Sequence, residues 1–270
     1  MKEICIIIPC YNEARRFPRE EFNKFYQHNK NICFCFVDDG SMDNTYRVLS
    51  NLCKGKEKRS VILSLPRNSG KAEAVRQGIL NALAWKSFDL VGYFDADLST
   101  PLEEIPHLLE AITKSNCSIA CGCRIKKLGS NIKRNPWRHY LGRVFATMVS
   151  ISLNLPVYDT QCGAKLIKTS LAHKIFKEKF ISRWIFDVEI FFRVINLFGK
   201  ENVYKEIIEV PLDTWIDKGH SKLKLNDFLK GPLELLRIYR TYKSRTVDKL
   251  TIFRIIFIVT PISYYFSMMR

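Results

Sequence analysis

The sequence predicts an α/β protein built on a doubly wound, mostly parallel sheet. Two observations carry that expectation. Five short apolar runs, at 4–8, 32–37, 61–65, 90–94 and 117–121, fall within the first 125 residues. Runs with no polar alternation are what strands covered on both faces require. Helix-length segments separate them, at 18–29, 43–54, 70–86 and 102–115, and such alternation builds βαβ units with parallel strands.

The first run opens the chain and stops at Pro9. The second ends in Asp38-Asp39-Gly40-Ser41, good turn chemistry, and Asp43 is placed as an N-cap of the following helix. Thr100 is expected to cap the helix of 102–115, with Pro101 at its first position. Residues 126–155 change character. Lys126, Lys127, Lys133, Arg134, Arg138 and Arg143 crowd a stretch poor in acids, and 141–155 reads as a mostly apolar helix. Mixed α/β pattern returns in 156–215, with a segment around 161–167, a helix near 187–197 and a strand near 207–210.

Residues 227–245 form a candidate amphipathic helix. Phe228, Leu229, Leu235, Leu236, Tyr239 and Tyr242 recur near helical spacing, while Lys230, Arg237, Arg240, Lys243 and Arg245 supply charge. Gly231-Pro232 is expected to break or restart it. The apolar run 250–269 holds Arg254 and Pro261. After Arg254 it is too short for the roughly 20 residues a bilayer-spanning helix needs, so a place in the interface is the first expectation, ahead of packing against the body or a partner and of a short spanning helix. The division is therefore a catalytic domain over 1–226 and a membrane-associating segment over 227–270.

Composition narrows the function. Of 270 residues, 47% are hydrophobic, enough for a real core, and 43 Lys+Arg against 27 Asp+Glu give a net charge of +16. Such a balance points to an anionic partner. With no zinc-finger spacing or RNA-binding aromatic signature, a membrane surface and phosphorylated substrates rank above nucleic acid, and no nucleic-acid partner is expected. The nine cysteines lie in or beside apolar runs and read as buried, reduced thiols. The first residues do not resemble a signal peptide, so the catalytic part is expected in the cytosol. A homo-oligomer is left open.

Four polar motifs sit where strands end: Pro9-Cys10-Tyr11-Asn12-Glu13, Asp38-Asp39-Gly40-Ser41-Met42-Asp43, Asn68-Ser69-Gly70-Lys71 and Asp95-Ala96-Asp97. A parallel sheet brings the loops after its strands to one edge. Asp95 and Asp97 can face one divalent cation, Mg²⁺ or Mn²⁺, that keeps positions open for a nucleotide diphosphate. Taken singly, each motif is ordinary turn chemistry. Asn-Ser-Gly-Lys lacks the first glycine of a phosphate loop, and Ala72 stands where its Ser/Thr would be. Arg124, Arg134, Arg138 and Lys222 are the best candidates for gripping acceptor and leaving phosphates. For Arg134 and Arg138 a solvated basic face is an equal alternative. His107, His139 and His220 have no carboxylate at useful spacing and read as structural or surface residues.

Together these motifs resemble glycosyltransferase family 2. Gly122-Cys123-Arg124, Asp159-Thr160-Gln161-Cys162-Gly163-Ala164-Lys165-Leu166, Arg183-Trp184-Ile185-Phe186-Asp187-Val188-Glu189 and Glu209-Val210-Pro211 are similar to its polyprenyl-phosphate branch, the dolichyl-phosphate glucosyltransferases above all, with the mannose synthases close by. The resemblance implies a GT-A fold and an inverting, metal-dependent hexosyl transfer from a nucleotide sugar. It implies that Pro9, Tyr11, Glu13, Asp39 and Lys71 line the nucleotide-sugar pocket. It makes Asp95 and Asp97 the metal and diphosphate ligands, with Arg124 near phosphates and Gln161 and Glu189 near sugar and acceptor.

A prenyl phosphate is already ionised near neutral pH and attacks without a strong general base, which agrees with a site rich in Asp and Arg and lacking a His–Ser pair. The expectation is thus an enzyme on the cytosolic face of a membrane that moves glucose from UDP-glucose to a polyprenyl or dolichyl phosphate. Three alternatives stay open: GDP-mannose as donor, another acceptor such as a cell-surface glycan, and a degenerate transferase that acts as a membrane scaffold.

Overall fold

The computed structural model describes residues 2–133, 136–219 and 225–243. In chain order the strands are β1 (Ile4–Cys10), β2 (Ile32–Asp38), β3 (Ser60–Ser64), β4 (Leu90–Phe94), β5 (Ile119–Cys123), β6 (Asn131–Lys133), β7 (Ala164–Lys168), β8 (Ile207–Pro211) and β9 (Thr214–Ile216). The helices are α1 (Arg19–His28), α2 (Thr45–Cys53), α3 (Lys71–Trp85), α4 (Ile105–Lys114), α5 (Pro136–Leu153), α6 (Thr169–Ile175), α7 (Phe186–Phe198), α8 (Val203–Glu206) and α9 (Leu225–Tyr242).

Seven strands form the main sheet in the order β3-β2-β1-β4-β7-β5-β8, and β6 pairs with β9 apart from it. β1, β2, β3 and β4 are parallel, as are β5 and β8. β7 runs antiparallel between β4 and β5, with Phe94 opposite Ala164 and Cys121 opposite Lys165. The expected doubly wound, mostly parallel sheet is therefore present, with one reversed strand, β7, inside it between β4 and β5.

Alternation along the strands builds two cores. Ile4, Ile6 and Ile8 of β1 and Phe34 and Phe36 of β2 face α1 and α2; Cys5, Ile7, Cys35 and Val37 face α3 and α7. On the first side Phe22 packs edge-on against both Phe34 and Phe36, with ring centroids 5.3 Å apart in each case. All nine cysteines are buried thiols.

Several boundaries differ from expectation for local reasons. Asn44, not Asp43, is the residue before α2, yet Asp43 still accepts the Thr45 N–H. Thr100 does not cap a helix. Pro101 is extended, a short 3₁₀ turn follows at Leu102–Glu104, and Pro106 sits in the first turn of α4. β5 starts two residues late because Asn116 turns through a positive φ of 51°. α5 starts early, at Pro136, since a proline's missing N–H costs nothing in a first turn.

α9 runs unbroken through Pro232. Its apolar side holds it there: Leu235, Ile238 and Tyr239 are fully buried against α5 and α7, and Gly231 fits between Phe145 and Trp184. The helix assigned to the membrane-associating segment thus turns one apolar side to α5 and α7. No helix among the described residues is long and apolar enough to cross a membrane. Arg134, Lys222 and the run 250–269 lie outside the described residues. Arg138 falls within α5, and its side chain lies outside them too.

Candidate active site

β1, β2, β3 and β4 end on one edge of the sheet, and the reversed β7 sends its entering loop, 159–163, to that same edge. The loop after β1 is sewn to the loop after β2. Asn12, at φ 50°, donates its N–H to Ser41 Oγ (2.9 Å), and its side-chain oxygen accepts the Met42 N–H (2.9 Å). The Glu13 and Ala14 amides donate to Thr45 Oγ1 (2.8 Å) and Asp43 Oδ2 (3.1 Å). Pro9 and Tyr11 are half-buried beside this seam, and the buried Glu13 pairs with Arg16, Nη2 to Oε1 at 2.6 Å.

The loop after β2 holds the loop after β3 in turn. Asp39 is buried and accepts the N–H groups of Ser69 (2.7 Å) and Gly70 (2.9 Å). Burial pushes its carboxyl above the ordinary carboxylate range, while those two hydrogen bonds pull the other way. Gly40, at φ +64°, has no room for a side chain, because an added Cβ would sit 2.4 Å from the Arg67 carbonyl carbon. Arg183 grips the same loop from the far side, donating to Ser69 O (3.1 Å), Asn68 O (3.1 Å) and Asn68 Oδ1 (2.9 Å).

This clamp fixes the start of α3 and hence Lys71, whose Nζ lies 2.5 Å from Asp95 Oδ1. Burial works to lower the Lys71 pKa, but the charges of Asp95 and Asp187 prevail and raise it. Asp95 backs onto the loop entering β7: its N–H donates to Gly163 O (3.1 Å), and a Cβ on Gly163 would lie 2.0 Å from its Oδ2. Asp97 accepts the Ser99 N–H (2.9 Å). Burial, and then the neighbouring Asp95 charge, push its carboxyl above the usual range.

Arg124, just past β5, completes the edge. It forms a two-pronged pair with Asp159, Nε to Oδ2 at 2.6 Å and Nη2 to Oδ1 at 2.8 Å, and stacks over Trp215 with its guanidinium 5.3 Å from the ring. Glu209 holds the Tyr158 and Asp159 amides at 2.8 and 2.7 Å. Burial opposes the Arg124 charge, but Asp159 outweighs it and raises the pKa. The edge therefore offers two adjacent carboxylates, a lysine and an anchored arginine, a set that can hold a cation and phosphates.

Residues 5–176, more than half of the chain, match the family profile described as glycosyl transferase family 2. The chain belongs to glycosyltransferase family 2. It is similar to a dolichyl-phosphate beta-glucosyltransferase of Trichomonas vaginalis, 30% identical over 245 residues that cover 86% of this chain and 69% of that protein. A Saccharomyces cerevisiae protein of the same name is 30% identical over 266 residues, covering 88% of this chain and 75% of its own. Among solved structures, glucosyl-3-phosphoglycerate synthase of Mycobacterium tuberculosis in complex with Mn²⁺, UDP-glucose and phosphoglyceric acid superposes with a TM-score of 0.62. That match is 16% identical and covers 88% of this chain and 80% of the other. It shows the GT-A fold.

The transferase's edge thus gathers Pro9, Tyr11, Glu13, Asp39, Lys71, Asp95, Asp97 and Arg124 from distant segments. Gln161 lies in the loop entering β7, and its side-chain nitrogen is buried with no partner among the described residues. Glu189 is placed differently from the rest. Its carboxylate accepts the Ile181 N–H (2.8 Å), Arg193 Nη2 (2.8 Å) and the Tyr242 hydroxyl (2.7 Å), which ties α7 to α9. The acid of α7 that reaches under the acidic pair is Asp187. It meets Lys165 Nζ at 2.5 Å and the Tyr93 hydroxyl at 2.5 Å.

Lys165 is fully buried and also donates to Thr160 O (2.9 Å) and Cys162 O (2.8 Å), so it props the loop that faces Asp95. Lys165 and Asp187 stand within the motifs of the family resemblance but had no site role there. The available signal was a lone lysine inside the buried run 164–167, since a buried lysine calls for an acid partner. His107, expected to lack a carboxylate at useful spacing, does have one: Glu104, one helical turn earlier, lies 3.2 Å away, and Asp213 lies 3.5 Å away.

Proposed function

We propose that this transferase moves glucose from UDP-glucose to a polyprenyl phosphate, with inversion, at the cytosolic face of a membrane. The observation that carries the proposal is the convergence of Asp39, Lys71, Asp95, Asp97 and Arg124 on one sheet edge, in a chain whose relatives are named for glucosyl transfer to dolichyl phosphate.

The donor set suits a divalent cation such as Mg²⁺ or Mn²⁺. Asp95 and Asp97 offer hard oxygen ligands, and among the described residues no group of three or more His, Cys, Asp or Glu converges to close a shell. Ligand positions are thus left for diphosphate oxygens and water. Bound there, a cation would offset the charge that develops on the departing diphosphate.

The chain's own residues do the rest. Asp39 holds the wall of the pocket by fixing the Ser69 and Gly70 amides. Lys71 and Arg124 supply positive charge from two sides. Arg124 spends Nε and one Nη2 hydrogen on Asp159 and keeps its other N–H groups for a phosphate. An acceptor phosphate oxygen forms the new bond to the anomeric carbon while the bond to the UDP oxygen breaks, and the electron pair leaves with UDP. No proton has to be removed from the nucleophile, so orientation and charge stabilisation suffice.

The test is a direct assay with labelled UDP-glucose, Mg²⁺ or Mn²⁺ and a short polyprenyl phosphate. The expected result is stoichiometric UDP and an acid-labile lipid-linked glucose. Asp97→Ala should lower turnover by about a hundredfold or more with an unchanged circular dichroism spectrum. Transfer from GDP-mannose alone, or to a glycan but to no prenyl phosphate, would replace the proposal.

A further inference from the structure

The acidic pair carries its own cation. Lys71 Nζ touches Asp95 Oδ1 at 2.5 Å, and the two side chains are 31% and 38% exposed. The backbones beneath them are held firmly. Asp39 clasps the Ser69 and Gly70 amides that lead into Lys71, Arg183 holds the carbonyls of residues 68 and 69, and Asp95 rests against Gly163. What remains adjustable is the lysine's flexible four-carbon stem.

Asp95 Oδ2 is turned against Gly163, so a divalent cation that reaches Asp95 through Oδ1 takes the oxygen the ammonium already touches. Placed beside an unmoved Lys71, it would meet like-charge repulsion. Nor, among the described residues, does Lys71 have another acid to retreat to. Asp187 attracts it but is already matched by Lys165 at 2.5 Å and by the Tyr93 hydroxyl, and Asp97 is needed by the same cation. A diphosphate changes the balance, because it brings negative charge for both the cation and the lysine.

We infer that Lys71 is a placeholder cation. It occupies Asp95 until a nucleoside diphosphate draws its ammonium away, so that cation and nucleotide bind together and not independently. The inference rests on the reading of Asp95 and Asp97 as cation ligands. Its thermodynamic form is a positive coupling between the two ligands, and that coupling is reciprocal.

The experiment is Mn²⁺ titration followed by electron paramagnetic resonance, with and without UDP and with no acceptor. It compares the unaltered chain with Lys71→Met and Lys71→Arg, with Lys71→Gln in reserve if the methionine variant does not fold. The unaltered chain should bind Mn²⁺ weakly alone and more tightly with UDP. Lys71→Met should bind Mn²⁺ alone about fivefold more tightly or better and lose most of the UDP dependence, while Lys71→Arg should keep the original behaviour. Unchanged or weaker Mn²⁺ binding by Lys71→Met, with the UDP coupling intact, overturns the placeholder role alone. If the unaltered chain takes up no Mn²⁺ even with UDP, the cation reading itself falls, and the placeholder with it.

Discussion

The position with least freedom in the site is a residue with no side chain. Gly163 faces Asp95 so closely that a methyl group would lie 2.0 Å from its Oδ2. Gly163→Ala must therefore push the Asp95 carboxylate out of place. A displacement near 1 Å costs about a hundredfold in rate, so turnover should fall by about that factor with the melting temperature nearly unchanged, as checked by the UDP-release assay beside a thermal melt. Near-normal turnover would mean that Asp95 has slack. Nothing in the sequence announced this contact. Asp95 and Asp97 were legible because two acids at the end of an apolar run are conspicuous, and Asp39 and Arg124 because their motifs are specific. Gly163 was quoted within a motif without a role, since its importance depends on which strand lies beside β4. The same holds for Lys165 and Asp187, whose pairing across 22 residues is a property of the folded sheet.

At the scale of elements, α7 and α9 are fastened by a polar knot in an apolar setting. Glu189 accepts from Arg193 and from the Tyr242 hydroxyl, and Arg193 also donates to the Glu178 and Lys179 carbonyls at 2.8 and 2.6 Å. Burial, followed by its hydrogen bond to Glu189, raises the Tyr242 pKa to about 12 from the usual 10.0. The folded state thus keeps the phenol proton where the unfolded chain releases it. The stability from this group is complete below pH 10 and drains away as pH rises from 10 to 12. Tyr242→Phe should cost about 1 kcal/mol at neutral pH and flatten the alkaline slope, both measurable by urea unfolding across pH. An unchanged slope would place the alkaline loss elsewhere. The first strands and helices were readable from periodicity alone. The unbroken α9 was not, because Pro232 is a local breaker and the contacts that override it come from α5 and α7.

Over the whole molecule, charge and apolar surface are divided in a way that bears on membrane contact. The inner side of α9 is committed to the core, while Lys230, Leu233, Arg237 and Arg240 are exposed on its outer side. With a net charge of +16, this face is suited to an anionic surface, each charge adding about 1 kcal/mol. The variant Lys230→Glu/Arg237→Glu/Arg240→Glu should sediment far less with phosphatidylserine vesicles, and added salt should mimic the effect on the unaltered chain. Equal sedimentation of both would take this face out of any vesicle binding. The reversed strand β7 also has a consequence for the order in which the chain can fold. β1–β4 form one parallel group and β5 with β8 another, and only β7 joins them. As the chain leaves the ribosome, β4 is complete some seventy residues before β7 is made. During that interval the apolar run Leu90–Phe94 presents an unpaired edge, the kind of surface on which nascent chains aggregate. The insertion that brings Gly163 to Asp95 also pairs this edge, so the step that assembles the candidate site also covers the side of β4 that had waited for its neighbour.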